Sequence, residues 1–378
     1  MKLLQIRRRD EFGSRGGRFG SVGTKLFCEL PFTQINIMEN GDVFPNCCPE
    51  WVAFPFGNLA TQSWQEVWNG AAAQRFRASM LKGDLRYCDR HWCPHIQQVL
   101  RGDRDDIVVP FEQRPRGRGP RGEDWSSTTS PVGPSNVGLH YDDSCNLACP
   151  TCRAGIESVS GRRADEVARI HQIVETEILP GARSISLTGT GDPFASRFLR
   201  TFLTEFDRTR YPLLENIHLH TNAIMWTPSM WERMPGLHDL PISTDISIDA
   251  ATPETYHVVR QPARWDRLIE NLDFIVTIPN LHTLGVSMTV SQLNYREMVA
   301  FHDFGRALGE RFAGRFAYVE YKRARRRPHH STPAWAALEL EQLPPDGLAE
   351  LASQIHQIDA LRRAAADPDT IRSNLDEF

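Results

Sequence analysis

Three cysteines fall within one short run, Cys145-Asn146-Leu147-Ala148-Cys149-Pro150-Thr151-Cys152. Clustered thiolates bind soft metals. Three of them can hold three irons of a cubane and leave the fourth iron open, because such clusters normally take four cysteine ligands. With a histidine as fourth ligand, the same three thiolates make a zinc site. Inert buried thiols are a third reading, which a Pro-containing loop disfavours.

A second set precedes them: Cys28, Cys47, Cys48, Cys88 and Cys93. The first residues, Met1-Lys2-Leu3-Leu4-Gln5-Ile6 followed by Arg7-Arg8-Arg9, contain no signal-peptide core. No apolar run approaches the roughly 20 residues that span a bilayer. A cytoplasmic protein with no membrane partner is therefore expected, and cysteines in a reducing compartment point to metal or cluster ligation over disulfides. The zinc alternative stays open for this set as well, since Cys₄ zinc sites use similar ligands.

Other residues suited to ligand binding follow the triad. Gly189-Thr190-Gly191-Asp192-Pro193 brings glycines beside an acid; glycine lets backbone approach a ligand closely. It does not suit a dinucleotide, because Phe194 stands where the third glycine of GxGxxG belongs. Then come Thr221-Asn222, Ser247 with Asp249, Arg260, and Ser291 with Asn294. A guanidinium pairs bidentately with a carboxylate, and an aspartate accepts from hydroxyls.

The elements that must position these residues alternate. Strand patterns at 137–141, 184–187, 217–220, 244–248, 284–290 and 316–321 are separated by helical patterns at 164–178, 198–209, 265–276 and 295–308. Repeated strand-then-helix units imply an α/β fold with a parallel sheet and right-handed crossovers. Each group of polar residues follows the end of one strand. Ahead of them, residues 24–111 read as a compact module. Asn40-Gly41 makes a turn, Gly57-Asn58-Leu59 makes another, Ser63 caps a helix carrying Trp64, Val67 and Trp68, and Gly83 ends the helical face of Phe76 and Met80. Residues 1–23 read as a flexible basic arm. Residues 112–136, rich in Arg, Gly, Pro and Ser, read as a mobile linker that buries little. Residues 333–378 read as a helical extension. The chain has 378 residues, a net charge of −4 and 24% charged residues, so charge supplies no global drive toward nucleic acid. Without an aromatic stacking pattern beside the basic linker, nucleic acid is not expected as a partner. A basic run at 322–330 reads equally as an anion-binding or a solvated loop.

The CxxxCxxC spacing resembles the signature of the radical S-adenosylmethionine (SAM) superfamily. The likeness extends to Gly189–Pro193, which resembles Gly-Gly-Glu-Pro with Asp192 in the Glu place, to Thr221-Asn222, and to Ser247, Asp249 and Arg260. It implies a partial (β/α)6 TIM-like barrel over residues 137–332, with the chemistry at the C-terminal strand ends. Cys145, Cys149 and Cys152 would hold a [4Fe–4S] cluster whose open iron binds SAM. One electron would cleave SAM to methionine and a 5′-deoxyadenosyl radical that takes hydrogen from the substrate. Gly189, Thr190, Gly191, Asp192, Thr221, Asn222, Ser247, Asp249, Arg260, Ser291 and Asn294 would contact SAM. Thr151 departs from the aromatic residue many members place there to contact adenine.

The N-terminal cysteines resemble a SPASM or twitch module, on Cys28, Gly41, Cys47-Cys48, Gly57-Asn58-Leu59, Trp68-Asn69-Gly70, Phe76-Arg77, Cys88 and Cys93. Such modules hold auxiliary iron–sulfur clusters. This implies one auxiliary [4Fe–4S] cluster on Cys28, Cys47 or Cys48, Cys88 and Cys93. The module here precedes the barrel, where it usually follows. The resemblance further implies an electron donor such as flavodoxin or ferredoxin. The implied substrate is a peptide or a small molecule, including sugars. No leader-peptide-binding domain is recognisable, which weakens the peptide reading without removing it. A non-catalytic zinc-binding adaptor is the competing class.

Overall fold

The computed structural model describes residues 23–45, 49–119, 121–312, 315–323, 338–365 and 370–373. The expected arm (but for Gly23), Cys47, Cys48 and the basic run from 324 onward lie outside the described residues. Twelve strands are described: β1 (Leu26–Cys28), β2 (Gln34–Ile37), β3 (Asp42–Phe44), β4 (Gly57–Asn58), β5 (Val108–Pro110), β6 (Asn136–Leu139), β7 (Ser184–Leu187), β8 (Asn216–Thr221), β9 (Ile242–Ser247), β10 (Leu281–Val290), β11 (Phe316–Arg323) and β12 (Ile371–Ser373). Backbone contacts divide the chain into two units. One takes Met1–Tyr141, Arg162–Ile185 and Thr209–Leu214; the other takes Asp142–Gly161, Ser186–Arg208 and Glu215–Phe378.

In the first unit, β2 and β3 form an antiparallel hairpin and β4 extends it. The hairpin turns where the sequence predicts. Gly41 has φ +84°, a conformation that favours glycine, and Asn40 Oδ1 accepts from Asp42 N at 3.0 Å. The second predicted turn differs: Gly57 and Asn58 are themselves the edge strand, and the chain turns after them as Asn58 Oδ1 accepts from Ala60 N at 2.7 Å. The other edge of β2 pairs in parallel with β6, with Ile35 opposite Val137. Strands β1 and β5 form a separate antiparallel pair. Ser63 closes a capping box with Glu66 at the head of Trp64–Trp68, satisfying N–H groups the helix itself leaves open.

The segment expected to bury little is packed into this unit. Trp125 is 6% exposed and stands edge-on to Phe27 and Phe32, at centroid distances of 6.0 and 5.4 Å. Trp68 Nε1 donates to Val132 O at 2.8 Å and Asn69 Nδ2 to Ser130 O at 2.9 Å. Arg77, fully buried, donates to Pro31 O, Trp68 O and Thr128 O. Buried carbonyls need donors, and one guanidinium supplies several.

In the second unit, β8, β9, β10, β11 and β12 run in that order, every neighbouring pair parallel. This is the large parallel sheet the alternation predicts. Helices Arg197–Thr204, Pro253–Val259, Trp265–Ile275 and Met298–Arg311 occupy the crossovers. Thr252 caps Pro253–Val259, with proline at its first turn. The last segment departs from an all-helical expectation: after helix Pro345–Ala364, β12 joins β11. No helix among the described residues is long and apolar enough to cross a membrane.

Candidate functional site

The three-cysteine loop belongs to the second unit and is held by backbone bonds. Cys145 N donates to Glu157 O at 2.9 Å, Cys152 N to Cys149 O at 2.8 Å, and Ala148 N to Gln261 O at 2.7 Å. Cys145, Cys149 and Cys152 stand as thiols. Arg153, 4% exposed, donates to Asp143 O at 2.7 Å and to Thr190 O, clamping the loop to the glycine turn.

That turn is built for close approach. A Cβ on Gly191 would lie 2.6 Å from Ser144 O and 2.8 Å from Asp142 O, so only glycine fits against the cysteine loop. Thr188 takes a positive φ of 55° and donates from Oγ1 to Gly191 O at 2.9 Å. Gly189 and Thr190 form the bend between them. Asp192 is 1% exposed. Its Oδ2 accepts from Thr221 Oγ1 at 2.7 Å and Asn222 N at 2.9 Å, and its Oδ1 from Phe194 N at 3.0 Å. Burial pushes its pKa up, against the pull of those donors. The carboxylate thereby joins the glycine turn to the end of β8.

Two polar side chains face the sulfurs. Asn222 Nδ2 lies 2.9 Å from Asn146 Oδ1 and 3.9 Å from Cys145 Sγ. Arg260 Nη1 lies 3.7 Å from Cys149 Sγ, and its Nη2 pairs with Asp249 at 2.7 Å. Burial works to lower the Arg260 pKa, but Asp249 and Cys149 outweigh it and hold it raised. The Arg260 Nε is buried with no acceptor. Asp249 sits at a strained φ of +65°, fixed by Thr289 N donating to Oδ1 at 2.6 Å and Asn294 Nδ2 donating to its carbonyl at 2.7 Å. Asn294 Oδ1 accepts from Ser291 N at 2.8 Å and from Ser291 Oγ at 3.2 Å. The polar groups of Ser291 and Asn294 are thus taken up in bracing the Asp249 loop. Ser247 Oγ lies 3.0 Å from His220 Nε2.

The donor set fits an iron–sulfur cluster. Burial pushes the Cys145 thiol up to about 12, with Asp192 adding to the effect, and burial also raises Cys149. Without a metal these groups keep their protons. Bound metal reverses that, since a coordinating thiol is deprotonated outright. The Arg260 and Asn222 donors, the Leu147 N–H at 3.4 Å from Cys145 Sγ and the orphaned Arg260 Nε suit added negative charge there.

A row of polar groups lies on one face of the same sheet, and it includes Lys322, which belongs to β11 and not, as the sequence suggested, to a basic loop. His218 and His220 on β8 lie opposite Ser243 and Asp245 on β9. Lys322 Nζ on β11 reaches Asp245 at 2.9 Å and Glu320 at 2.6 Å. Burial works to lower Lys322, but Asp245 and Glu320 hold it raised. Burial drives His220 down to about 3, so its imidazole is neutral. Asp245 Oδ1 is buried without a partner. Period-two alternation along each strand carries the signal, but only the register joins them.

In the first unit, Cys28, Cys88 and Cys93 line one cavity of about 20 Å³. Cys28 opens onto it from the end of β1. Cys88 lies in an antiparallel bridge with Val52, and Cys93 begins helix Pro94–Leu100. Asp89 Oδ1 folds the intervening turn by accepting from His91 N at 2.9 Å and Trp92 N at 3.2 Å. Apart from His95, the other lining side chains are Leu30, Trp51, Val52, Leu85, Ile96 and Val108. Thiols around an apolar wall fit a cluster. Among the described residues, no three His, Cys, Asp or Glu side chains gather around one point as a single metal ion requires.

Residues 28–94 match the family model of the SPASM iron–sulfur cluster-binding domain, the stretch on which the sequence resemblance rests. No curated protein matches the chain. Among solved structures, SuiB of Streptococcus suis is 13% identical with a TM-score of 0.41, the alignment covering 64% of this chain and 49% of that one. This chain therefore spans about half of its length. SuiB bound to S-adenosylmethionine is 11% identical with a TM-score of 0.40, over 92% of this chain and 71% of the other. The FeFe-hydrogenase maturase HydG from Carboxydothermus hydrogenoformans is 14% identical with a TM-score of 0.39, covering 63% and 58%.

Proposed function

We propose that the chain is a radical SAM enzyme with an N-terminal auxiliary iron–sulfur module, acting in the cytoplasm. The observation that carries this reading is the three-thiol loop, faced by Arg260 at Cys149 and by Asn222 at Cys145. The SPASM match over residues 28–94 supports the second cluster. The proposed division puts the module at residues 24–111, a joining segment at 112–136, a partial (β/α)6 barrel at 137–332 and an extension at 333–378.

In this reading Cys145, Cys149 and Cys152 hold a [4Fe–4S] cluster, and Cys28, Cys88 and Cys93 belong to the auxiliary one. When bound, the first cluster would supply the electron that cleaves SAM to methionine and a 5′-deoxyadenosyl radical, which abstracts hydrogen from the substrate. The chain's own residues do the positioning. Gly191 admits the glycine turn to the cysteine loop, and Asp192 fixes Thr221 and Asn222. Asp249 holds Arg260 so that its unpaired Nε–H is available to the carboxylate of SAM. Ser247 offers a hydroxyl one strand end away. The proposed substrate is a peptide or protein side chain or backbone in natural-product maturation, with flavodoxin or ferredoxin as electron donor. The test is anaerobic purification, followed by iron and sulfide analysis and assay of 5′-deoxyadenosine with SAM and a reductant. Two clusters and reductant-dependent 5′-deoxyadenosine are expected. Colourless protein carrying stoichiometric zinc after anaerobic reconstitution overturns the reading.

A further inference from the structure

The cavity of the first unit has a fourth donor that cysteine spacing does not announce. His95 lines it with Cys28, Cys88 and Cys93. It lies one residue beyond the matched stretch, in the first turn of helix Pro94–Leu100. Its Nδ1 is 2.9 Å from Asp105 Oδ2. The Asp105 side chain is 6% exposed, and its Oδ1 accepts from Ile107 N at 2.8 Å and Val108 N at 2.6 Å. Val108 is in turn the strand partner of Cys28. The carboxylate that aims the imidazole is therefore anchored to the strand beside the first cysteine.

An ionised carboxylate only accepts, so Nδ1 carries the proton and donates it. Nε2 is left with the lone pair, and the hydrogen bond on one ring nitrogen sets the role of the other. Metal-binding histidines are held this way, by a carboxylate on the nitrogen that does not bind. The cavity's other side chains are apolar apart from the Trp51 indole, whose N–H only donates.

We propose that His95 Nε2 is a ligand of the auxiliary cluster, with Cys28, Cys88 and Cys93, and that Asp105 is its positioning residue. The proposal rests on the reading of the module as a cluster site. It makes neither Cys47 nor Cys48 necessary. Exchanging one thiolate for a neutral imidazole leaves the cluster less negative, and histidine ligation raises the reduction potential.

The test uses the full chain with Cys145, Cys149 and Cys152 all replaced by Ala, so that only the auxiliary cluster contributes. After anaerobic reconstitution, iron is counted and the reduced cluster is examined by pulsed EPR, with and without ¹⁵N-histidine labelling. A strong nitrogen coupling that changes with the label is expected. Cys47→Ala and Cys48→Ala should each keep the coupling and the iron, and His95→Cys should keep the cluster at a lower potential. A cluster with no histidine coupling, with His95→Gln unchanged in iron and potential, overturns the proposal and leaves the module reading standing. Failure of the triple variant to take up any iron overturns both.

Discussion

The two sulfur sites differ in what surrounds the thiols. Around Cys145, Cys149 and Cys152 stand Arg153, Arg260 and Asn222, with Asp192 and Asp249 behind them. Around Cys28, Cys88 and Cys93 the wall is apolar, Asp89 is spent on folding the turn between the last two, and Asp105 is bonded to His95. A site with buried cations beside sulfur and an unsatisfied guanidinium N–H is suited to admit a polar, anionic molecule. An apolar site is suited to hold electrons and exclude ligands, because burial and hydrogen bonding to sulfur set the potential of a cluster. Similar residue types thus make an open site and a closed one.

The largest expected effect separates the two outright. Cys145→Ala should lose roughly half of the iron and all reductive cleavage of SAM, whereas Cys88→Ala with Cys93→Ala should leave cleavage to 5′-deoxyadenosine working. Iron analysis and product chromatography read both. If cleavage fails equally in the two variants, the contrast between the sites is wrong.

Next is Arg260→Ala, which leaves Asp249 buried without its partner. Removing one member of a buried ion pair costs about 3–5 kcal/mol, and loss of a charge-assisted hydrogen bond to SAM lowers affinity about ten- to a hundredfold. Denaturant unfolding and equilibrium dialysis with labelled SAM measure the two separately. Unchanged SAM binding with the cluster intact would show that Arg260 serves only Asp249.

Asp192→Ala deprives Thr221, Asn222 N and Phe194 N of their acceptor, with a loss of about 1–3 kcal/mol. The loss should be confined to the second unit and leave iron at Cys88 and Cys93. Its counterpart in the first unit is Arg77→Lys, which cannot reproduce the guanidinium fork. It should destabilise the module by about 1.5–3 kcal/mol while cleavage of SAM persists.

The fold was legible wherever a single element carried its own pattern. β7 falls on the expected residues, β8, β10 and β11 extend the expected strands by a few residues, and β9 starts two residues earlier than expected and stops one short. The helical pattern at 164–178 proves to be an α-helix, Gly161–Ile173, that widens into a π turn over Val174–Ile178, a change of hydrogen bonding that apolar spacing does not encode. β12 has three residues, too short for alternation to register. The segment at 112–136 misleads for another reason. Its composition is that of a linker, but Trp68, Asn69 and Arg77 reach it across 51 to 64 residues of sequence, and no local pattern announces such bonds. In the site, the cysteine loop at 145–152, Asp192 and Asp249 were readable because each follows a strand, and Arg260 ends the helix after the Asp249 loop. Asp245 was not, and Lys322 was read as part of a loop, because both are side chains within strands whose partnership depends on register.

A last expected effect is on the shape of the pH profile. His220 has a folded pKa of about 3 against about 6.5 when unfolded. The unfolded chain therefore binds the extra proton, and the contribution to stability is complete above about pH 6.5 and is lost as pH falls toward about 3. His220→Gln should flatten that stretch of the stability profile and leave the auxiliary cluster's iron content unaltered.

The parallel pairing of β2 with β6 has a consequence for synthesis on the ribosome. Thr33 O accepts from Ser135 N at 2.8 Å, so the strand that leads into Cys145 completes its edge on residues made 102 positions earlier. Chains emerge at about 5–20 residues per second and fold from the N-terminus, which gives β2, β3 and β4 a lead of about 5–20 seconds. A module placed after the parallel sheet would arrive once that edge had already waited exposed. Placed before it, the hairpin is ready as a template when β6 appears, and an unpaired strand edge, the usual seed of aggregation, is covered as it is made.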